Sequence, residues 1–99
     1  MHLLATLKVK SGKMPEALEK LGEMVAVVEA KAGWKLAGGF HSLSGHTHTI
    51  VHLWDLGDSY DQARARMSQA SELLKLLPPI FELIEEETTM LLNKTPYSD

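Results

Sequence analysis

No cysteine occurs in the 99 residues, so disulfides, zinc–thiolate sites and thiol nucleophiles are all excluded. The redox state of a compartment therefore places no constraint on the chain. No apolar run approaches the roughly 18 residues needed to cross a bilayer. Basic charge is also scarce: ten Lys and Arg stand against thirteen Asp and Glu, for a net charge of −3. The basic patch expected of a nucleic-acid binder is missing. The opening "MHLLATLKVK" lacks the basic start and long apolar stretch of a signal peptide. The expectation is a cytoplasmic protein that uses neither membrane nor nucleic acid.

What is present reads as a single domain over residues 1–99, with 44% hydrophobic and 23% charged residues. "HLLATLKVK" alternates, with Leu3, Ala5, Leu7 and Val9 on one face and Leu4, Thr6 and Lys8 on the other, which predicts a strand. "MPEALEKLGEMVAVVEAKAG" carries Pro15 in its first turn. The stripe Met14, Leu18, Leu21, Val25 and Val28 predicts an amphipathic helix that stops at Gly33.

"WKLAGGFHSL" and "THTIVHLWDL" flank a Ser-Gly turn and read as a β-hairpin. A second helix follows. Ser59 and Gln62 supply a capping box, and Tyr60, Ala63, Met67, Ala70 and Leu74 form its stripe. Pro78 and Pro79 are expected to end or bend it, with "IFELIEE" adding a turn or two and "ETTMLLNKT" forming the last strand. The order β-α-β-β-α-β is the split βαβ, or ferredoxin-like, arrangement of α+β proteins: a four-stranded antiparallel sheet with helices on one face.

The uncovered sheet face then needs a partner. A three-residue turn over Ser44–His46 would pair Leu36 with Trp54, Gly38 with His52 and Phe40 with Ile50. Placing this bulkier set on the open face, with Leu4, Thr6, Met90 and Leu92, gives a large apolar patch. Burial against a second copy would cover it, so a homodimer is expected.

"LKVKSGKMPEAL" and the segment Ile50-Val51-His52-Leu53-Trp54 resemble NIPSNAP domains, and the likeness spans nearly the whole chain. The resemblance implies a dimeric α/β barrel. Relatives on that scaffold include cofactor-free oxygenases, polyketide-modifying enzymes and isomerases, while NIPSNAP domains have no generally established reaction.

His46, His48 and His52 share one parity. Four residues of strand place His48 and His52 roughly 13 Å apart, too far to share an ion. His46 and His48 lie closer but have no third ligand, so they read as a solvated hairpin tip, and no metal site is expected. His52 stands apart, in mid-strand with a glycine opposite. An imidazole in an apolar cavity could bind a ligand oxygen or move a proton. His52 is thus the candidate catalytic residue, with Trp54, Phe40, Gly38, Tyr60, Leu36 and Ile50 as candidate ligand contacts. The run Glu85-Glu86-Glu87 reads as a solvated helix end.

Two functions fit these features. In one, the protein binds or modifies a small, partly apolar or aromatic molecule in a cavity beside the sheet, without a cofactor; the analogy is to a cofactor-free monooxygenase or isomerase. In the other, it is a non-catalytic homodimeric interaction module with a filled barrel core. The sequence does not decide whether the chain is an enzyme.

Overall fold

The computed structural model describes residues 1–45 and 47–98. The chain runs β1 (His2–Val9), α1 (Met14–Val27), a π-helical turn (Val28–Ala32), β2 (Lys35–His41), β3 (Thr49–Asp55), α2 (Tyr60–Ser68), α3 (Leu73–Phe81) and β4 (Ile84–Leu92). The strands form one antiparallel sheet in the order β2-β3-β1-β4, the ferredoxin-like arrangement. No described helix is long and apolar enough to cross a membrane.

Helix ends follow local chemistry. Pro15 sits in the first turn of α1, and Gly33 closes the π-helical turn with φ of 70°. The Oγ of Ser59 accepts the Gln62 N–H at 3.3 Å and caps α2. The buried stripe of α1 is Ala17 and Leu21 with Met24 half-buried, continued by Val28 of the π-helical turn, while Leu18 is 40% exposed.

The second helical region differs from expectation. Tight turns at residues 69–72 split it in two, and α3 continues through Pro78 and Pro79 to Phe81. The break transfers the inward stripe from Ala63, Met67 and Ala70 to Leu73, Leu77 and Ile80, leaving Leu74 75% exposed. The prolines remove two N–H donors without ending the helix, because Ile80 beyond them is buried in the core. Beyond α3 the chain turns directly into β4, which begins at Ile84, three residues before the expected strand.

β3 and Leu36 face the opposite way from the sequence expectation, while Gly38 and Phe40 lie on the open face as expected. β1 pairs Leu3 with Trp54, Ala5 with His52 and Leu7 with Ile50. Ala5, Leu7, Val9, Ile50, His52 and Trp54 are all buried and lie under the helices. Leu36, which pairs with Trp54, shares that face. The open face carries Leu4, Thr6, Val51, Leu53, Phe40, Met90 and Leu92. Two features mislead a reading by parity. Residues 42–48 join the strands, a longer connection than three residues, and His46 within it lies outside the described residues. His48 precedes β3 instead of lying in it, with φ of 63°. The register also shifts by one residue at a bulge between Leu36 and Gly38. Leu36 keeps Trp54, but beyond the bulge Gly39 meets His52, Phe40 meets Val51 and Gly38 meets Leu53.

The core is in two parts. One packs Trp34, Trp54, Leu56, Val28, Ala32, Ala63, Ala70 and Leu73 together. Here Trp34 Nε1 donates to the Ala63 carbonyl at 2.9 Å and Arg66 Nε to the Ala32 carbonyl at 2.8 Å, tying α2 to the π-helical turn. The other packs Leu7, Val9, Ala17, Leu21, Ile50, Ile80 and Leu83.

This division into faces predicts unequal costs for neighbouring residues of β3. Ile50→Ala should destabilise the chain by about 2–5 kcal/mol through cavity formation. Val51→Ala, on the half-buried outer face, should cost about 1 kcal/mol or less. Urea denaturation of the two variants checks the order, and a larger loss for Val51→Ala would contradict the facing.

Candidate functional site

A cavity of about 280 Å³ lies between the sheet and the helices. Its position follows from a single row of residues across the sheet. Gly39, His52, Ala5 and Thr89 are successive cross-strand partners on the helix-facing side. On one side of this row Leu3 and Trp54 join the first core cluster; on the other Leu7 and Ile50 join the second. Neither cluster includes Ala5 or His52. Ala5 is the one small side chain in the inward series Leu3, Ala5, Leu7 and Val9, so the floor dips there. Leu21, Met24, Leu77, Ile80 and Phe81 of α1 and α3 form the roof.

The lining is almost wholly apolar. Its polar side chains are His52 at the inner end, Glu87 and Thr89 on β4, and the indole groups of Trp34 and Trp54. His52 is 6% exposed. Its ring meets Trp54 edge-on, with centroids 6.0 Å apart and planes at 90°, and Trp54 in turn meets Trp34 at 6.0 Å. These contacts fix the two rings by packing. Among the described residues none forms a hydrogen bond with the imidazole. No described side-chain nitrogen or oxygen is fully buried without a partner, so both imidazole nitrogens border open space. Burial pushes the His52 pKa below its ordinary value of 6.5. Near pH 7 the ring is therefore neutral, one nitrogen a donor and the other an acceptor. Such a group can bind an oxygen of a ligand and take up a proton from it.

The sequence candidates divide. His52 and Trp54 both line the cavity. Phe40 is 66% exposed on the opposite sheet face, and Gly38 lies beside its ring, where a Cβ would come within 2.8 Å of Phe40. Gly39 takes the place opposite His52 that the unbulged register gave to Gly38. Leu36 and Ile50 point under the helices but border a separate groove of about 250 Å³ between α1 and β2. Tyr60 packs at the start of α2 against the first cluster, outside the cavity. Glu87 and Thr89 are absent from the sequence candidates: Glu87 belongs to an acidic run that reads as a helix end, and the expected last strand offers only Met90 and Leu92, on its other face. Ala5 could have been found from the alternation of β1, where it is the only short side chain on its face. Among the described residues no three His, Asp or Glu side chains gather as metal ligands would.

A family model described as NIPSNAP matches residues 2–99. A NIPSNAP family protein with unknown function from Agrobacterium tumefaciens is 27% identical, with a TM-score of 0.86, covering 98% of this chain and 89% of that one. A second NIPSNAP family protein from the same organism is 25% identical with a TM-score of 0.87, over 98% of this chain and 87% of that one. The cofactor-independent oxygenase SnoaB from Streptomyces nogalater shares the fold at 12% identity and a TM-score of 0.69, over 98% and 96% of the two chains. No curated protein matches the chain in sequence.

The desolvated imidazole makes stability depend on pH. A folded-state pKa below 6.5 means that the unfolded chain binds more protons as pH falls past 6.5. The contribution of His52 is thus complete above pH 6.5 and is lost as pH falls through the folded-state value. Replacing His52 by Gln should remove this dependence. Chemical denaturation at pH 7.5 and at successive steps below 6.5 should show wild type losing stability relative to His52→Gln. Parallel curves would show that the imidazole titrates normally.

Proposed function

The chain belongs to the NIPSNAP family, and we propose that it binds, and acts on, a small and largely apolar molecule held between sheet and helices. The cavity at the His52 row carries this reading. Its volume of about 280 Å³ lies close to the lower end of the range for small-molecule sites, and its few polar groups converge on an apolar space. A protein built only to associate has no need of a gap between two halves of its core, nor of an imidazole left without a protein partner there. The cofactor-independent oxygenase among the fold relatives supports the direction of the analogy. On that analogy the reaction is oxygenation of an aromatic or polyketide-like substrate by dioxygen without a cofactor, a substrate CH2 becoming a carbonyl while its two hydrogens and the second oxygen atom leave as water, or an isomerisation. His52 takes the substrate proton, Trp54 contacts the ring, and the apolar walls keep water away.

A homodimer belongs to the same proposal. Phe40 and Met90 are 66% and 58% exposed on a sheet face that also carries Leu4, Val51, Leu53 and Leu92. Facing sheets of two copies would bury this patch symmetrically. Wild type should sediment as a dimer at micromolar concentration, and Leu53→Glu should sediment as a folded monomer. A monomeric wild type would remove this part of the proposal.

Ligand binding is tested by filling the floor. Protein purified from cells and extracted into organic solvent should release a small molecule detectable by mass spectrometry. Ala5→Leu, checked for folding by its circular dichroism, should release at most a tenth as much (on the order of 1.4 kcal/mol). Equal yields from both proteins would sink the pocket as the site.

A further inference from the structure

The cavity has a polarity along its length. At the inner end stand His52 and Trp54, both buried; at the β4 edge stand Glu87 and Thr89, both exposed. The two ends are set by the sheet. Thr89 is two strands away from His52 in the same row, with Ala5 between them, and Glu87 is one inward position further along β4, opposite Leu7. Strand spacing puts the Cα atoms of His52 and Thr89 roughly 10 Å apart. A molecule lying over Ala5 spans that distance with an apolar body of about one aromatic ring and a short chain.

Charge is as uneven as polarity. With His52 neutral, Glu87 is, among the described residues, the only ionised side chain that lines the cavity, and no Lys or Arg does. The basic residue closest in register, Lys8, belongs to the other sheet face and pairs with Glu85 at 3.7 Å. An anionic ligand would thus bring a carboxylate or phosphate into an apolar space without a cation to receive it. Its outer end would lie against the Glu87 carboxylate. A ligand ending in an amine or hydroxyl would instead donate to Glu87, and the Thr89 hydroxyl can accept or donate beside it.

Resting on the reading of this cavity as a small-molecule site, we propose that Glu87 makes it selective by charge. It takes a ligand with an oxygen at its inner end or none, an aromatic or aliphatic body, and a hydrogen-bond donor, an amine or hydroxyl, at its outer end. It rejects carboxylates and phosphates, including fatty acids. Glu87 is a specificity residue here and takes no part in the proton transfer assigned to His52.

The test uses three probes of one size: 4-phenylbutylamine, 4-phenylbutanol and 4-phenylbutyrate. Both tryptophans of the chain line the cavity, so the indole N–H signals in a proton–nitrogen correlation spectrum report binding there. At pH 7.5 and low salt the amine should bind about tenfold more tightly than the carboxylate, with the alcohol between them, and added salt should narrow the gap. Glu87→Gln should weaken the amine by about threefold or more and the alcohol by less, since the amide oxygen still accepts from a hydroxyl. Glu87→Lys should place the carboxylate first. A carboxylate that binds as tightly as the amine, or a preference that survives Glu87→Gln, overturns the assignment while leaving the pocket standing. If none of the probes moves either indole signal in wild type, the small-molecule reading fails and this inference goes with it.

Discussion

One short side chain on a central strand organises the space beneath the helices. β1 lies between β3 and β4, and its inward positions alternate strictly. Leu3, Leu7 and Val9 each reach a core cluster, and Ala5 does not. Because strand side chains repeat every two residues, shortening one of them opens a trough across the neighbouring strands as well. His52 on one neighbour and Thr89 on the other border that trough as a matter of register. The helices cannot close it, since α2 is anchored to the π-helical turn through Trp34 and Arg66, and α1 and α3 each span the gap, with Met24 and Leu73 against the first cluster and Leu21 and Ile80 in the second.

The same register explains the state of the imidazole. A histidine on the outer sheet face would sit in water and titrate normally. On the inner face it loses hydration and gains no hydrogen bond from the chain, so only the neutral form is comfortable. The ring is held by packing against Trp54, which leaves both nitrogens uncommitted. The ring is thus fixed in place while its two nitrogens keep their hydrogen-bonding capacity toward the open space they border.

The order of elements was legible because periodicity changes sharply from two to 3.6 and back, with Pro15, Gly33 and Ser59 marking the boundaries. The family was legible from the Ile50–Trp54 stretch. The face on which that stretch lies was not. Parity within β3 groups Ile50, His52 and Trp54 together, but which side they take depends on how β3 meets β1, a long-range pairing that no local pattern encodes. Alternation within β1 places Leu4 and Thr6 outward and Ala5, Leu7 and Val9 inward, as observed, but it carries no information on which residues of β3 lie beside them. The bulge at Ala37 was hidden for a different reason: adjacent glycines permit a register shift without announcing it. Pro78 and Pro79 mislead in the opposite direction, since burial of Ile80 outweighs the two lost donors. Glu87 is hidden in the sequence because three consecutive acids before a Thr- and Leu-rich run read as a solvated helix end, whereas β4 begins at Ile84 and carries them as strand residues.

The bulge between Leu36 and Gly38 has a consequence beyond the register it shifts. β2 and β4 are the rims of an open sheet, where unpaired backbone groups invite strands from other chains. On β2 the irregularity interrupts the run of backbone groups that an incoming strand would need, and Lys35 adds a charge beside it. On β4 three consecutive glutamates, Glu85 to Glu87, repel a like strand laid alongside. Both rims are thus guarded against fibrous, edge-to-edge growth, and the broad apolar flank of the sheet, which carries no such guard, is left as the surface on which a contact would close on itself instead of propagating.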